Sequence, residues 1–405
     1  MLRRLILIIM FFLLVCGGLW FVLHLNGVDT FGELTAKWLN YDGSRPSNSS
    51  VVVNVYELTK EDAAGFKNVF DDELEIFLRR WFVEYNRVLG ALSDDAGAFD
   101  KLYDRYSPNR AVDALILERL VKARKQCSLP LTFPACDVGL RLVSAVYANE
   151  DIIEVRVGEC FAAAFDGFPN RVGSYAGTEH FFVLDKSSGS WLVLRHESNS
   201  AFARYITGEL DKVIAEDGYT REELTSAGVE SYVKALKRIL EREVYYYPAE
   251  PGGAKTADFP YDREKALNYA AAYTDRENVR RNPVFPAYEH NGTNFVSQCL
   301  HAGNIPAVSA WEKGKPSWID ANSFYEYATS AAGLTVAGVC GRSDGEAGDV
   351  IQFLDGGGGA VQSALISAKY GDEYLITANS EDFSAFPASA TGFDIVRIIK
   401  VYGYN

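Results

Sequence analysis

The spacing of apolar residues changes period part-way along the chain, and that change limits the fold more than any other feature. Phe66, Val69, Phe70, Leu74, Phe77, Leu78, Trp81, Tyr85 and Val88 recur at steps of three and four, the stripe of an amphipathic helix. A second helix is predicted from Arg110 to about Lys125. The period then falls to two: Ile153, Val155 and Val157 alternate with Glu154, Arg156 and Gly158, as in a half-buried strand. The stretch TEHFFVLDKSSGSWLVLRHES reads as two strands about a Ser188-Gly189 turn. Helices return from about Ala201 to Arg242, with Thr220 and Glu223 as a capping box. Helices and antiparallel strands in separate blocks imply an α+β class.

A chain of 405 residues holds two ordinary domains. Its 48% hydrophobic content fits folded domains, and its net charge of −14 argues against nucleic-acid binding, which rests on Lys and Arg neutralising phosphates. The polar, turn-rich residues 26–50 read as a stalk, and YYYPAEPGGAKTADFP as a linker, centred on 246–260. The expected domains are therefore 51–245 and 261–405. Gly356–Gly359 lacks the Gly-Lys-Ser/Thr of a phosphate loop and reads as a hairpin tip.

Residues 5–25, LILIIMFFLLVCGGLWFVLHL, carry His24 as their one ionisable side chain. The run is long enough to cross a bilayer. Arg3 and Arg4 before it would hold the N-terminus in the cytoplasm and place the rest outside. The expectation is a single-pass membrane anchor; the rivals are a cleaved signal peptide and a lipoprotein signal using Cys16.

No CxxC pair exists among the six cysteines, so a structural zinc site is not expected. Cys127 and Cys136 bracket a short segment and would be either a disulfide, in an exported chain, or two thiols. His180 and His196 sit on the two hairpin strands beside Glu179 and Glu197. Register about the turn would bring these four together, either as a metal or acid–base site or as a polar hairpin face. No cofactor is implied.

Helices followed by a meander ending in LDKSSGSWLVLRHE resemble NTF2-like domains. That resemblance implies a sheet wrapped over helices, a cone that serves as a ligand pocket or drives oligomerisation. From Tyr261 onward, TNFVSQCL followed by GDVIQ and AVQSALIS resembles the putative amidase domain family of Gram-positive-type bacteria, related to papain-like NlpC/P60 and CHAP hydrolases. The resemblance implies a cysteine on the first turn of a buried helix, a histidine on a facing strand and a polar residue orienting it. A helix N-terminus favours thiolate through its free N–H groups and dipole.

Here the residue before Thr-Asn-Phe is Gly292, not cysteine, and Gln362 stands where the histidine is expected. Asn379 matches the third position. Neither glycine nor a glutamine amide can supply the chemistry. Cys299 lies in the apolar stripe with Phe295, Val296 and Leu300 and reads as core; Thr293 and Ser297 have no evident base; His290 and His301 flank the helix. Asn291 is the expected N-cap, and Asn291, Thr293, Asn294 and Gln298 are the candidates to line a surviving groove. The sequence thus reads as an extracytoplasmic protein of the cell envelope. Its amidase-like domain would be non-catalytic and bind cell-wall peptide or a protein partner. The alternatives are an active amidase with rearranged residues and an assembly protein acting through the NTF2-like module.

Overall fold

The computed structural model describes residues 51–405, except 56–58, 61–71, 106, 129–130, 169–170, 217, 219–228, 251–254, 275–280, 289 and 331–334. The apolar run 5–25, the stalk 26–50, Phe66, Val69, Phe70, Thr220 and Glu223 lie outside the described residues. Among those described, no helix is long and apolar enough to cross a membrane. The expectation of a transmembrane helix, and with it of a single-pass membrane location, is therefore not supported by the described residues, which do not include 5–25. The structure is instead built around a large mixed sheet.

Strands β1 (Val52–Val55) and β2 (Thr59–Lys60) precede helices α1 (Asp72–Ala91), α2 (Gly97–Asp100) and α3 (Pro108–Lys125). The antiparallel meander follows as β3 (Ala135–Tyr147), β4 (Ile152–Ala164), β5 (Val172–Asp185) and β6 (Leu192–Ser198). Helices α4 (Ala201–Glu216) and α5 (Val229–Leu240) close this half. The stripe of α1 buries Leu74, Phe77, Leu78, Trp81, Phe82 and Val88, and its acidic first turn suits the helix dipole. In β4, Ile153, Val155 and Val157 point inward while Glu154 and Arg156 are exposed, the alternation the pleat imposes.

The second half carries β7 (Tyr245–Tyr246), β8 (Phe259–Pro260), α6 (Arg263–Tyr273), α7 (Gly292–Ala302), α8 (Pro316–Ile319) and α9 (Ala321–Thr329). Then come β9 (Thr335–Cys340), β10 (Val350–Leu354), β11 (Ala360–Tyr370), β12 (Glu373–Ala378), β13 (Phe383–Pro387) and β14 (Ile395–Tyr404). The two ends of the expected linker are pinned to β14, Tyr245 beside Ile395 and Pro260 beside Gly403.

The halves share one hydrogen-bonded sheet, ordered β1-β3-β4-β5-β13-β12-β11-β10-β14-β7. The junction is β5 to β13: β6 pairs with the 180–185 end of β5, and β13 takes the other end at Ser174, helped by Ala176 N–H donating to the Glu381 carbonyl. All described residues belong to one compact unit.

The C-terminal strands have two buried faces. Ile351, Phe353, Ala364, Ile366, Val396 and Ile398 join the core built by α1, α3, α4 and α5. Val350, Leu365, Ile399 and Val401 join a second core with Phe295, Cys299 and Leu300 of α7. A strand buried on both sides reads as a near-continuous apolar run, as VIQFL and SALI do. Gly356–Gly359 is a hairpin tip, as expected, with Gly358 at φ 83°. It is tied down: Gly356 N–H donates to Glu209 of α4, and Asp355 accepts from Gly357 and Gly359.

Cys127 and Cys136 are free, which corrects the bridged alternative. The Cys127 thiol sits 3.2 Å from the Glu373 carboxylate, and Cys136 is buried on β3.

Candidate functional site

Helix α7 is buried at every position from Gly292 to Leu300. Asn291 occupies the N-cap position, yet its side chain makes no capping bond; its Oδ1 accepts from Tyr288 N–H and from Asn294 Nδ2. Asn294 also donates to the Pro286 carbonyl and accepts from Trp318 Nε1 at 2.9 Å. Thr293 donates to the Ser363 hydroxyl at 3.0 Å, and Gln298 accepts from Tyr269 at 2.7 Å. The four candidate groove residues are thus all at most 5% exposed and bonded inside the protein.

At Gly292 a Cβ would lie 2.5 Å from the Ser363 carbonyl oxygen and 2.9 Å from Ser380 Oγ, both closer than van der Waals contact permits. The space a nucleophile would need is filled by β11. Gln362 is buried, and neither polar atom of its side chain has a hydrogen-bond partner. It pairs with Phe353, one step from Ser363, which pairs with Gln352. Alternation puts Gln362 on the face of Phe353 and Ala364, away from the Ser363 side chain that meets α7. Asn379 donates to the Tyr273 carbonyl, and its own carbonyl accepts from Arg281. The structure therefore does not bring Gly292, Gln362 and Asn379 together as a triad.

The other candidates are placed as follows. Cys299 is fully buried, and burial pushes its thiol well up, against nucleophilic use. Ser297 donates to the Trp318 carbonyl, His301 Nδ1 lies 3.0 Å from the Ile305 carbonyl, and His290 is exposed.

His180 and His196 do meet, but not with the expected partners. His180 Nδ1 lies 3.0 Å from His196 Nε2, His180 Nε2 lies 3.0 Å from Glu159 Oε2, and His196 Nδ1 lies 3.0 Å from Asp113 Oδ2. Tyr175 donates to Glu159 at 2.9 Å, Tyr103 donates to Asp113 at 2.6 Å, and Trp81 Nε1 donates to Tyr103 at 3.0 Å. Glu179 and Glu197 follow the pleat outward. Burial pushes His180 below the usual imidazole value, against the pull of Glu159. Among the described residues no group of three or more His, Cys, Asp or Glu side chains is placed to hold a metal ion.

This polar row lies along a cavity of about 830 Å³, within the usual range for small-molecule sites. Helices α1, α3, α4 and α5 and strands β4 to β6 line it, and Glu381, Phe383, Phe386 and Thr391 from the C-terminal half complete the wall. Sequence reasoning missed Glu159 and Asp113. Both left a signal: Glu159 falls on the inward phase of Val155, Val157 and Phe161, and Asp113 lies four residues before the buried Leu117.

Residues 260–401 carry a putative amidase domain. Within the match lie α7, the buried strands β10 to β13 and Gly292. The chain is also similar to two curated proteins of Bacillus subtilis (strain 168). The uncharacterized protein YhbB is 33% identical over 137 residues, covering 31% of this chain and 43% of that protein. The uncharacterized protein YjcM is 30% identical over 95 residues, covering 23% and 22%. The chain spans less than half the length of these relatives. Among solved structures, it is similar to a hexachlorocyclohexane dehydrochlorinase (LinA, type 2), with a TM-score of 0.21 and 9% identity over 30% of this chain and 82% of that one. A putative aromatic ring hydroxylase from Novosphingobium aromaticivorans gives 0.21, 9%, 30% and 85%.

Proposed function

We propose that the amidase-like domain is non-hydrolytic and that the chain works by binding, with a peptide of the cell-wall class or a protein as its partner. The observation that carries this reading is the Ser363 carbonyl 2.5 Å from where a Cβ at residue 292 would stand. In a papain-like plan the nucleophile occupies that point, and here backbone fills it. Ser363, the β11 side chain that meets α7, supplies no ring nitrogen to take a proton. The polar side chains along α7 are spent on internal hydrogen bonds, so the partner-binding surface lies elsewhere than at the helix start.

The test is mass-spectrometric analysis of purified peptidoglycan and muropeptides incubated with the full chain, alongside sedimentation of the protein with insoluble wall. The expected result is no released product. Product formation by the parent protein that is lost in Cys299→Ser would instead establish an active amidase with rearranged residues.

A further inference from the structure

Both halves of the chain wall the cavity, and the wall is aromatic where they meet. From the first half, Phe161 of β4 stacks on Tyr175 of β5, with centroids 5.1 Å apart and planes 14° apart. From the amidase-like domain, Phe383 stacks on Phe386 of β13 at 5.0 Å and 8°. The two pairs meet edge to face, Tyr175 and Phe386 lying 5.5 Å apart at 89°. Stacked and perpendicular contacts are the arrangements that aromatic rings favour, and all four rings line the cavity. Helices add Tyr85 and Leu89 of α1 and Val112 and Ile116 of α3. These four side chains and Tyr175 are only partly buried, so the apolar wall has surface that a ligand can reach.

Among the described residues, the carboxylates and guanidiniums in the lining are Asp113, Arg124, Glu159, Arg195, Glu197 and Glu381. Each is already engaged inside the protein. Glu159 holds His180 and Asp113 holds His196, and the two rings hold each other, so no ring nitrogen is left over. Arg124 donates to the Leu89 and Leu131 carbonyls. Arg195 pairs with Glu197. Glu381 accepts from the Ala201 N–H at the start of α4. Two acceptors in the lining lack a partner, Glu159 Oε1 and Asn86 Oδ1, but each exposes less than 1 Å² and is closed to a ligand.

This distribution selects by charge. An ion of either sign entering the cavity leaves water and finds no unpaired counter-charge, and a desolvated charge is costly without one. A neutral aromatic body has no such cost. It gains from burying its apolar surface and from further stacked or edge-on ring contacts. The volume of about 830 Å³ has room for a molecule of several rings.

We propose that the cavity is a composite binding site for a neutral aromatic molecule, held between the Phe161–Tyr175 and Phe383–Phe386 pairs and the partly buried side chains of α1 and α3. Neither half of the chain forms the site alone. Phe383 and Phe386 lie within residues 260–401, so the stretch that carries the putative amidase domain takes part in small-molecule binding. The site is distinct from the start of α7, and its ligand preference does not depend on whether the amidase-like domain hydrolyses anything.

The experiment uses the full chain at pH 7.5 and the neutral dye N-phenyl-1-naphthylamine, whose fluorescence rises in apolar surroundings. Three competitors share one body: 4-phenylbutan-1-ol, 4-phenylbutylamine and 4-phenylbutyrate. The alcohol is expected to displace the dye at concentrations at least about ten-fold lower than either ion, because only the ions pay for desolvated charge. Phe386→Leu, which removes a ring but keeps the site apolar, should weaken dye binding several-fold, the size of a lost aromatic contact. The location is read on the wild-type chain by photolabelling with benzophenone, itself neutral and aromatic, followed by digestion and mass spectrometry. Label is expected on peptides carrying α1 or α3 and on the peptide carrying Phe383 and Phe386, and the dye should suppress both. No dye binding, displacement by the amine or the carboxylate as readily as by the alcohol, label confined to one half of the chain, or undiminished dye binding in folded Phe386→Leu overturns the proposal. The competition series and the label map decide the question even where the variant does not fold.

Discussion

The imidazoles of His180 and His196 lie nearly parallel, 10° apart with ring centroids 5.3 Å from one another, and are joined by a hydrogen bond of 3.0 Å. Phe182 stacks against His196 on the same strand face, and Trp81 closes the pair from α1. Every ring nitrogen has a partner, so removing any one member strands another inside the protein.

His180→Phe should therefore destabilise the fold by about 1–3 kcal/mol, the usual cost of a buried polar group left unmade. In urea denaturation the double change His180→Phe/Glu159→Leu should cost less than the two single changes summed, because it removes both partners of one bond. Strict additivity would show that the row contributes nothing as a unit.

The same row sets a pH dependence. His180 is lowered from 6.5 by burial, so the unfolded chain binds its proton first as the medium is acidified. Its contribution is complete above about pH 6.5 and is lost as pH falls below that value toward the folded pKa. The urea midpoint should drop between pH 7 and pH 5.5, and His180→Gln should flatten that drop. An equal slope in the variant would assign the titration elsewhere.

Gly292→Ala should destabilise by about 1–3 kcal/mol, the range for forcing an extra methyl into a packed core, although alanine is the better helix former. Ser380→Gly, which removes the contact at 2.9 Å, should restore part of the loss. A thermal melt unaffected by Gly292→Ala would mean that β11 yields freely, and would reopen the question of space for a nucleophile.

Thiol labelling checks the cysteines. Burial, with Glu373 beside it, pushes Cys127 up to about 12, and Cys340 is likewise raised to about 12 by burial. Cys160 is exposed. Iodoacetamide at pH 8 should modify Cys160 first in the native protein, and denaturation without reductant should release Cys127 and Cys136 as free thiols. A Cys127–Cys136 peptide pair in the unreduced digest would contradict the structure.

The element types were legible from period alone. Trp81 and Val88 fell on one helix stripe, and Val155 and Val157 on one strand phase, because burial on one face leaves a regular trace. The Ser188-Gly189 turn was legible because Gly189 takes φ 86°, which glycine adopts without strain. The pairing of β5 with β13 was not, since contacts between residues two hundred positions apart leave no local signature. The site shows the same asymmetry. His180 and His196 are legible from their strands, but adjacency points to Glu179 and Glu197 as partners, and neighbours along a strand face opposite ways. Gln362 was placed by likeness to a pattern; the register of β10 and β11 turns it from α7 by a single step.

Strand β13 belongs to the amidase-like domain, yet it borders β5 and supplies Phe383 and Phe386 to the cavity wall. A chain cut within the linker would leave β5 with an open edge and the cavity with a missing side, and exposed edges invite aggregation. The two halves are for this reason a single structural unit. Substitutions that loosen β13 reach the cavity directly.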